Sequence, residues 1–134
     1  MKVQFLPKNN PRVVIIQTLY GHHFNKDAEL TVPKHRYKKF IKDVVNGAIE
    51  RKDLIQELIN KELNKDLNVN KTDLLIKLMI EAAIYEFMYM HKTPVKVVIA
   101  EYLKASDFFV DESQKKFLNA ILDKISKVSR SHDS

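Results

Sequence analysis

Two adjacent histidines, His22 and His23, are the first side chains of this sequence that invite a chemical interpretation. Successive positions of a helix point about 100° apart, so the two imidazoles cannot easily share one metal ion. The sequence contains no carboxylate–histidine motif such as HExxH, and a helix-end or surface role is favoured. The acidic pair Asp111–Glu112 suits a helix N-terminus, where carboxylates are stabilised by the macrodipole. The sequence therefore predicts no metal site and no catalytic centre.

The scarcity of cysteine and glycine excludes several classes of binding site. There is no cysteine and there are only two glycines, Gly21 and Gly47. Disulfides and thiolate metal sites are excluded, and neither a phosphate-binding loop nor a dinucleotide-binding turn can be built from two isolated glycines. We expect no cofactor, and the protein is not expected to be an enzyme.

Positive charge is the second chemical feature of the sequence. The formal net charge is +6, and no acidic residue precedes Asp27. A further acid-free run covers residues 34–42 and holds five of the lysines and arginines. A surface that faces phosphates requires this kind of asymmetry. The alternative, a lysine-rich face that is simply solvated, stays open on composition alone.

The chain has the length and composition of one globular domain. It has 134 residues, 45% of them apolar and 30% charged, which favours a packed core over disorder. We expect a single domain over residues 1–134, with residues 1–10 and 129–134 flexible. No apolar run is long enough to span a bilayer, and no signal peptide is recognised, so a cytoplasmic protein without membrane contact is expected.

Apolar periodicity predicts an all-α fold of six helices. The first begins with Pro11 at its first position, despite the β-branched residues that follow. The others are predicted over residues 34–49, from Asp53 onward, over residues 72–90, after a Thr93 cap with Pro94 in the first turn, and after Asp111. A loop is predicted over residues 64–70. The helix over residues 72–90 is apolar on nearly all faces, which predicts a central position with Leu78 and Ile84 buried.

Four motifs carry a resemblance to a known family. The sequence reads Gln-Thr-Leu-Tyr at residues 17–20, Tyr-Glu at 85–86, Lys-Val-Val-Ile-Ala-Glu-Tyr-Leu-Lys at 96–104 and Phe-Leu-Asn-Ala-Ile-Leu-Asp-Lys at 117–124. In these motifs the chain resembles the NusB family of transcription antitermination factors. The resemblance implies two packed three-helix sub-bundles. It also implies structural roles for Tyr85, Glu86 and Asn119.

The resemblance further implies an RNA-binding transcription antitermination and elongation factor. Such a protein binds single-stranded boxA-type RNA together with NusE, a ribosomal protein, and acts indirectly on elongating RNA polymerase in ribosomal RNA operons. It could be a monomer or a homodimer. The implied RNA-binding residues are Lys8, Arg12, Gln17, Tyr20, Phe109, Ser113 and Phe117.

Several positions depart from the family pattern. Asn9 and Asn10 stand where the family has arginines, and Glu81 stands where relatives often carry arginine. Ala100 replaces an asparagine and Ala120 a glycine. The thinned basic segment keeps open a purely protein-binding helical adaptor with reduced RNA affinity. A second alternative is an RNA-binding domain related to that of ribosomal RNA methyltransferases.

Overall fold

The computed structural model describes residues 9–63 and 72–130, and within them every regular element is an α-helix. The helices are α1 Pro11–Phe24, α2 Lys38–Glu50, α3 Lys52–Leu63, α4 Leu74–Tyr89, α5 Val95–Ser106 and α6 Glu112–Ser129. The predicted all-α class is confirmed. None of these helices has the length and apolarity needed to cross a membrane. The predicted loop at 64–70 lies outside the described residues.

The start of α1 shows how local chemistry fixes a helix. The side chain of Asn10 accepts hydrogen bonds from the backbone N–H groups of Arg12 and Val13 at 2.9 and 3.3 Å. Pro11 occupies the first helical position, as predicted. The β-branched residues 13–16 are all buried, because α1 packs against α2, α4 and α5 at once. Tertiary burial therefore overrides their preference for a strand.

The fourth helix is the centre of the domain, since α4 packs against each of the other five helices. Its side chains are buried on most faces, including Leu78 and Ile84, and the predicted central position is confirmed. The helix begins at Leu74 rather than Thr72, because the side chain of Asp73 caps it by accepting from Leu75 N–H at 2.8 Å.

Two predicted helix starts are wrong. The second helix begins at Lys38 instead of Lys34, with Tyr37 as its N-cap residue. The fifth begins at Val95 with Pro94 in extended conformation as the N-cap residue, so Thr93 is not the cap. The carbonyl of Thr93 instead accepts from Arg130. By contrast, Asp111 lies at the N-terminus of α6 as predicted, and the structure adds that it caps this helix in a reciprocal pair with Gln114.

Contacts between helix ends fix the directions of the helices. Arg12 at the start of α1 meets Glu86 near the end of α4, while Leu19 and the histidines after it share a cleft with Leu78. The helices α1 and α4 are therefore antiparallel. Arg130, just after α6, donates to the carbonyls of Glu86, Phe87, Met90 and Thr93. The end of α6 therefore lies at the end of α4.

Candidate nucleic-acid interface

An exposed aromatic edge lies along the second half of α1. Tyr20 is 41% exposed and Phe24 66% exposed, and their ring centroids are 5.0 Å apart in an edge-on arrangement. His23 contacts Phe24 at the same distance. Gln17 is exposed one turn before Tyr20, on the same side of the helix. We call Gln17, Tyr20, His23 and Phe24 the α1 aromatic edge.

The other predicted RNA-binding aromatics lie around the connection from α5 to α6. Phe109 and Phe117 are half-buried and pack against the core, so each ring offers only part of its surface to a ligand. Ser113 is exposed in the first turn of α6. Phe108, which the sequence reasoning missed, is 41% exposed beside Phe109.

The second half of α5 lies near the start of α1. Tyr102, one turn before the end of α5, donates to Glu86, and Glu86 pairs with Arg12 at the start of α1. The α1 aromatic edge lies along the second half of α1. The structure therefore gives no contact that joins this edge to Phe109, Ser113 or Phe117 among the described residues, and their shared role stays a prediction.

Arg12 lies toward the opposite end of α1, about 12 Å from Tyr20 along the helix axis. Its guanidinium is buried and pairs with the Glu86 carboxylate through two hydrogen bonds, Nε–Oε2 at 3.0 Å and Nη2–Oε1 at 2.6 Å. The Tyr102 hydroxyl donates to the same Oε2 at 2.5 Å. A phosphate contact by Arg12 would require this network to open, so the predicted RNA contact stays a prediction. Lys8 lies outside the described residues.

The buried network also shifts two protonation equilibria. Burial raises the pKa of the Tyr102 hydroxyl well above its ordinary value, and the negative charge of Glu86 adds to this rise. Burial alone would lower the pKa of Arg12, but hydrogen bonding and the charge of Glu86 more than offset it, so this pKa is raised. Both groups therefore keep their protons, the Tyr102 hydroxyl as a donor and the Arg12 guanidinium as a cation. The structural role inferred for Glu86 agrees with this geometry.

The basic run at residues 34–42 lies beside the start of α1. The ring of Phe40 lies under the guanidinium of Arg12 at 4.9 Å, while Lys38 and Lys42 are exposed. Arg36 stacks on the exposed ring of Tyr37 at 5.5 Å. The basic run and the α1 aromatic edge therefore lie toward different ends of α1.

The structure also shows where the other family positions, Tyr85 and Asn119, lie. Tyr85 packs so closely over Gly47 that a Cβ added there would overlap its ring. Asn119 is exposed on α6, and the structural role implied for it stays a prediction. No cluster of three potential metal ligands occurs among residues 9–63 and 72–130.

These features define the protein first as a small domain with six helices over residues 9–63 and 72–130, a positive net charge and an exposed aromatic edge. The model of the NusB family matches residues 9–127, and the chain belongs to that family. A solved structure of NusB from T. maritima is similar, with a TM-score of 0.77 over 95% of this chain and 93% of that one. At 24% sequence identity this likeness shows the fold alone.

Curated relatives give the same family. The transcription antitermination protein NusB of Mesorhizobium japonicum is 27% identical over 89 residues, which are 66% of this chain and 57% of the relative. That of Bradyrhizobium diazoefficiens is 28% identical over 91 residues, which are 68% of this chain and 55% of the relative. The match thus spans little more than half the length of these relatives.

Proposed function

We propose that this protein is a transcription antitermination factor that binds single-stranded boxA-type RNA together with NusE. The observation that carries the proposal is the α1 aromatic edge on a positively charged member of the NusB family. Large aromatic rings are normally buried, because burial of their apolar surface stabilises the fold. The exposed rings of Tyr20 and Phe24 are available to stack with unpaired bases, which favours a single-stranded ligand.

Each candidate residue has a distinct role in this proposal. Tyr20 stacks on a base, and Gln17 supplies a hydrogen bond one turn away. The exposed parts of the Phe109 and Phe117 rings extend the stacking surface, and Ser113 donates to a phosphate or a sugar. Lysines and arginines, Lys8 among them, attract phosphates, so affinity falls as salt rises. Recognition of this kind involves binding alone, without catalysis.

In the cell, the complex with the ribosomal protein would keep RNA polymerase elongating through ribosomal RNA operons in the cytoplasm. The protein would act as one domain, as a monomer or a homodimer, and without membrane contact. Binding of RNA and of the ribosomal protein should strengthen one another by a coupling free energy of about 1–3 kcal/mol.

The experiment is a binding cycle with a boxA-type RNA oligomer and purified NusE. RNA affinity is measured by fluorescence anisotropy with and without NusE, and NusE affinity with and without RNA, at two salt concentrations. The proposal requires the same coupling factor from both directions, because linkage is reciprocal. No RNA binding under any of these conditions would refute it.

A second candidate is a protein-binding adaptor with little RNA affinity, and one specific observation favours it. Arg12, which matches a basic position of the family, has its guanidinium engaged by Glu86, and Asn10 at another such position caps α1. The same binding cycle distinguishes the two functions. The adaptor would bind NusE and show no salt-dependent RNA affinity.

A further inference from the structure

A cleft of about 110 Å³ opens between α1, α2 and α4 beside the α1 aromatic edge. Its apolar walls are formed by Leu19, Ala48, Ile49 and Leu78. Pockets that enclose a whole small molecule are usually about 300–1,000 Å³. This cleft is therefore too small for a whole nucleotide, and only the base of such a ligand would enter it while the remainder stays outside.

The cleft carries both negatively and positively charged side chains. Glu81 supplies one carboxylate, and Lys26 and Lys52 supply two exposed ammonium groups. Burial raises the pKa of Glu81 above its ordinary value, and the positive charges of Lys52 and Lys77 oppose this rise without cancelling it. His22 also lines the cleft, and its buried Nδ1 has no hydrogen-bond partner among the described residues.

A nucleotide matches the apolar walls, the Glu81 carboxylate and the two lysines at once. Its base offers a flat face to the apolar walls, its Watson–Crick edge offers N–H donors, and its phosphates carry the negative charge that Lys26 and Lys52 attract. An ionised carboxylate has two oxygens and only accepts hydrogen bonds. Guanine presents two adjacent donors, N1–H and the 2-amino group, that match these two oxygens. Uracil presents one N–H between two carbonyls, and cytosine and adenine place an acceptor beside the amino group.

We propose that the cleft between α1, α2 and α4 binds one guanine nucleotide of a single-stranded RNA, with the base edge on Glu81 and the flanking phosphates on Lys26 and Lys52. The inference rests on the proposed RNA-binding function. The cleft and the α1 aromatic edge share His23. A strand that stacks on Tyr20 and Phe24 therefore has its next base beside the cleft.

The test compares three RNA oligomers on the full chain with NusE present: oligouridine, the same oligomer with one central guanosine, and the same oligomer with one central inosine. Inosine differs from guanosine only in lacking the 2-amino group. The guanosine oligomer should bind about tenfold more tightly than oligouridine, in the range of a good bidentate base contact. The inosine oligomer should bind with an affinity close to that of oligouridine. Equal binding of guanosine and uridine oligomers would overturn the inference.

The Glu81→Gln variant tests the role of the carboxylate. Its preference for guanosine should fall to nearly one, while its oligouridine affinity is retained. Glu57→Gln, an exposed position on α3, makes the same change in net charge and should keep the preference. A guanosine preference that survives Glu81→Gln would contradict the assignment.

A final arm separates an RNA site from a site for a free nucleotide. Guanosine monophosphate alone should compete only weakly with the guanosine oligomer, because it lacks the stacked neighbours. Competition as strong as that of the oligomer itself would overturn the RNA assignment. Salt-dependent binding of all oligomers without base preference would refute the cleft proposal and leave the RNA-binding function standing. No binding of any oligomer would refute both.

Discussion

Arg12 and Glu86 form a buried ion pair that joins α1 to α4 across 74 positions of sequence. The guanidinium meets the carboxylate at two points, at 3.0 and 2.6 Å, and Tyr102 from α5 donates to the same carboxylate. Three helices thus meet at one fully buried negative charge. Such a charge is tolerated only while its partners remain in place.

Arg12→Ala should therefore destabilise the fold, by about 3–5 kcal/mol, because Glu86 would stay buried without its counter-ion. The measurement is the free energy of unfolding from urea denaturation. Arg36→Ala, which removes an exposed guanidinium from the basic run, is the matched control and should stay within about 0.5 kcal/mol of wild type. Equal midpoints for both variants would show that the pair does not stabilise the domain.

The two glycines give opposite predictions for the same substitution. A Cβ added at Gly21 has no neighbouring atom within 4 Å, so Gly21→Ala should stabilise the interior of α1 by about 0.5–1 kcal/mol. Gly47→Ala would overlap the ring of Tyr85 and should cost about 1–3 kcal/mol. Replacing Tyr85 with Ala first should turn Gly47→Ala from destabilising to stabilising. A double-mutant cycle by urea denaturation measures this, and additive effects would disprove the close packing.

The stability of the domain should depend on Glu81 in a defined direction. Burial raises the pKa of the folded carboxyl above its unfolded value, so the folded state holds the proton more tightly. Burying the ionised carboxylate lowers the free energy of unfolding. This loss is absent at pH below the unfolded pKa and grows as pH rises through the folded pKa. Glu81→Gln should therefore be more stable than wild type at pH 7, and the difference should shrink toward acid. A difference that grows toward acid in pH-dependent thermal melts would contradict this sign.

Ile84→Ala tests the central position of α4. The side chain is fully buried, so its truncation should cost about 2–5 kcal/mol through lost burial and a residual cavity. Val97, which is 44% exposed on α5, is the control, since Val97→Ala should change the unfolding free energy by less than about 0.5 kcal/mol. The midpoint of chemical denaturation measures both.

Local signals predicted the fold better than they predicted the site. The α4 burial pattern, Pro11 at a helix start and the Asp111 cap all follow from residues within one or two turns. Thr93 was wrongly assigned as a cap because Pro94 itself occupies that position.

The site depends on distant contacts that no local pattern contains. The family resemblance implied that Arg12 contacts a phosphate, and nothing local in the sequence shows that its guanidinium also meets Glu86. The phosphate contact itself stays a prediction. Phe24 was missed, although its spacing of four from Tyr20 was a readable sign that the two rings share a helix face.

RNA binding by the α1 aromatic edge is tested most directly by Tyr20→Ala, measured as affinity for a boxA-type single strand in a salt series. Tyr89→Ala is the matched control, because Tyr89 is an exposed tyrosine at the far end of α4. Wild type should bind more weakly as salt rises. Tyr20→Ala should lose about 1–3 kcal/mol of affinity with an unchanged unfolding midpoint, and Tyr89→Ala should bind as wild type does. Equal affinities for all three proteins, or no binding by wild type, would contradict the account.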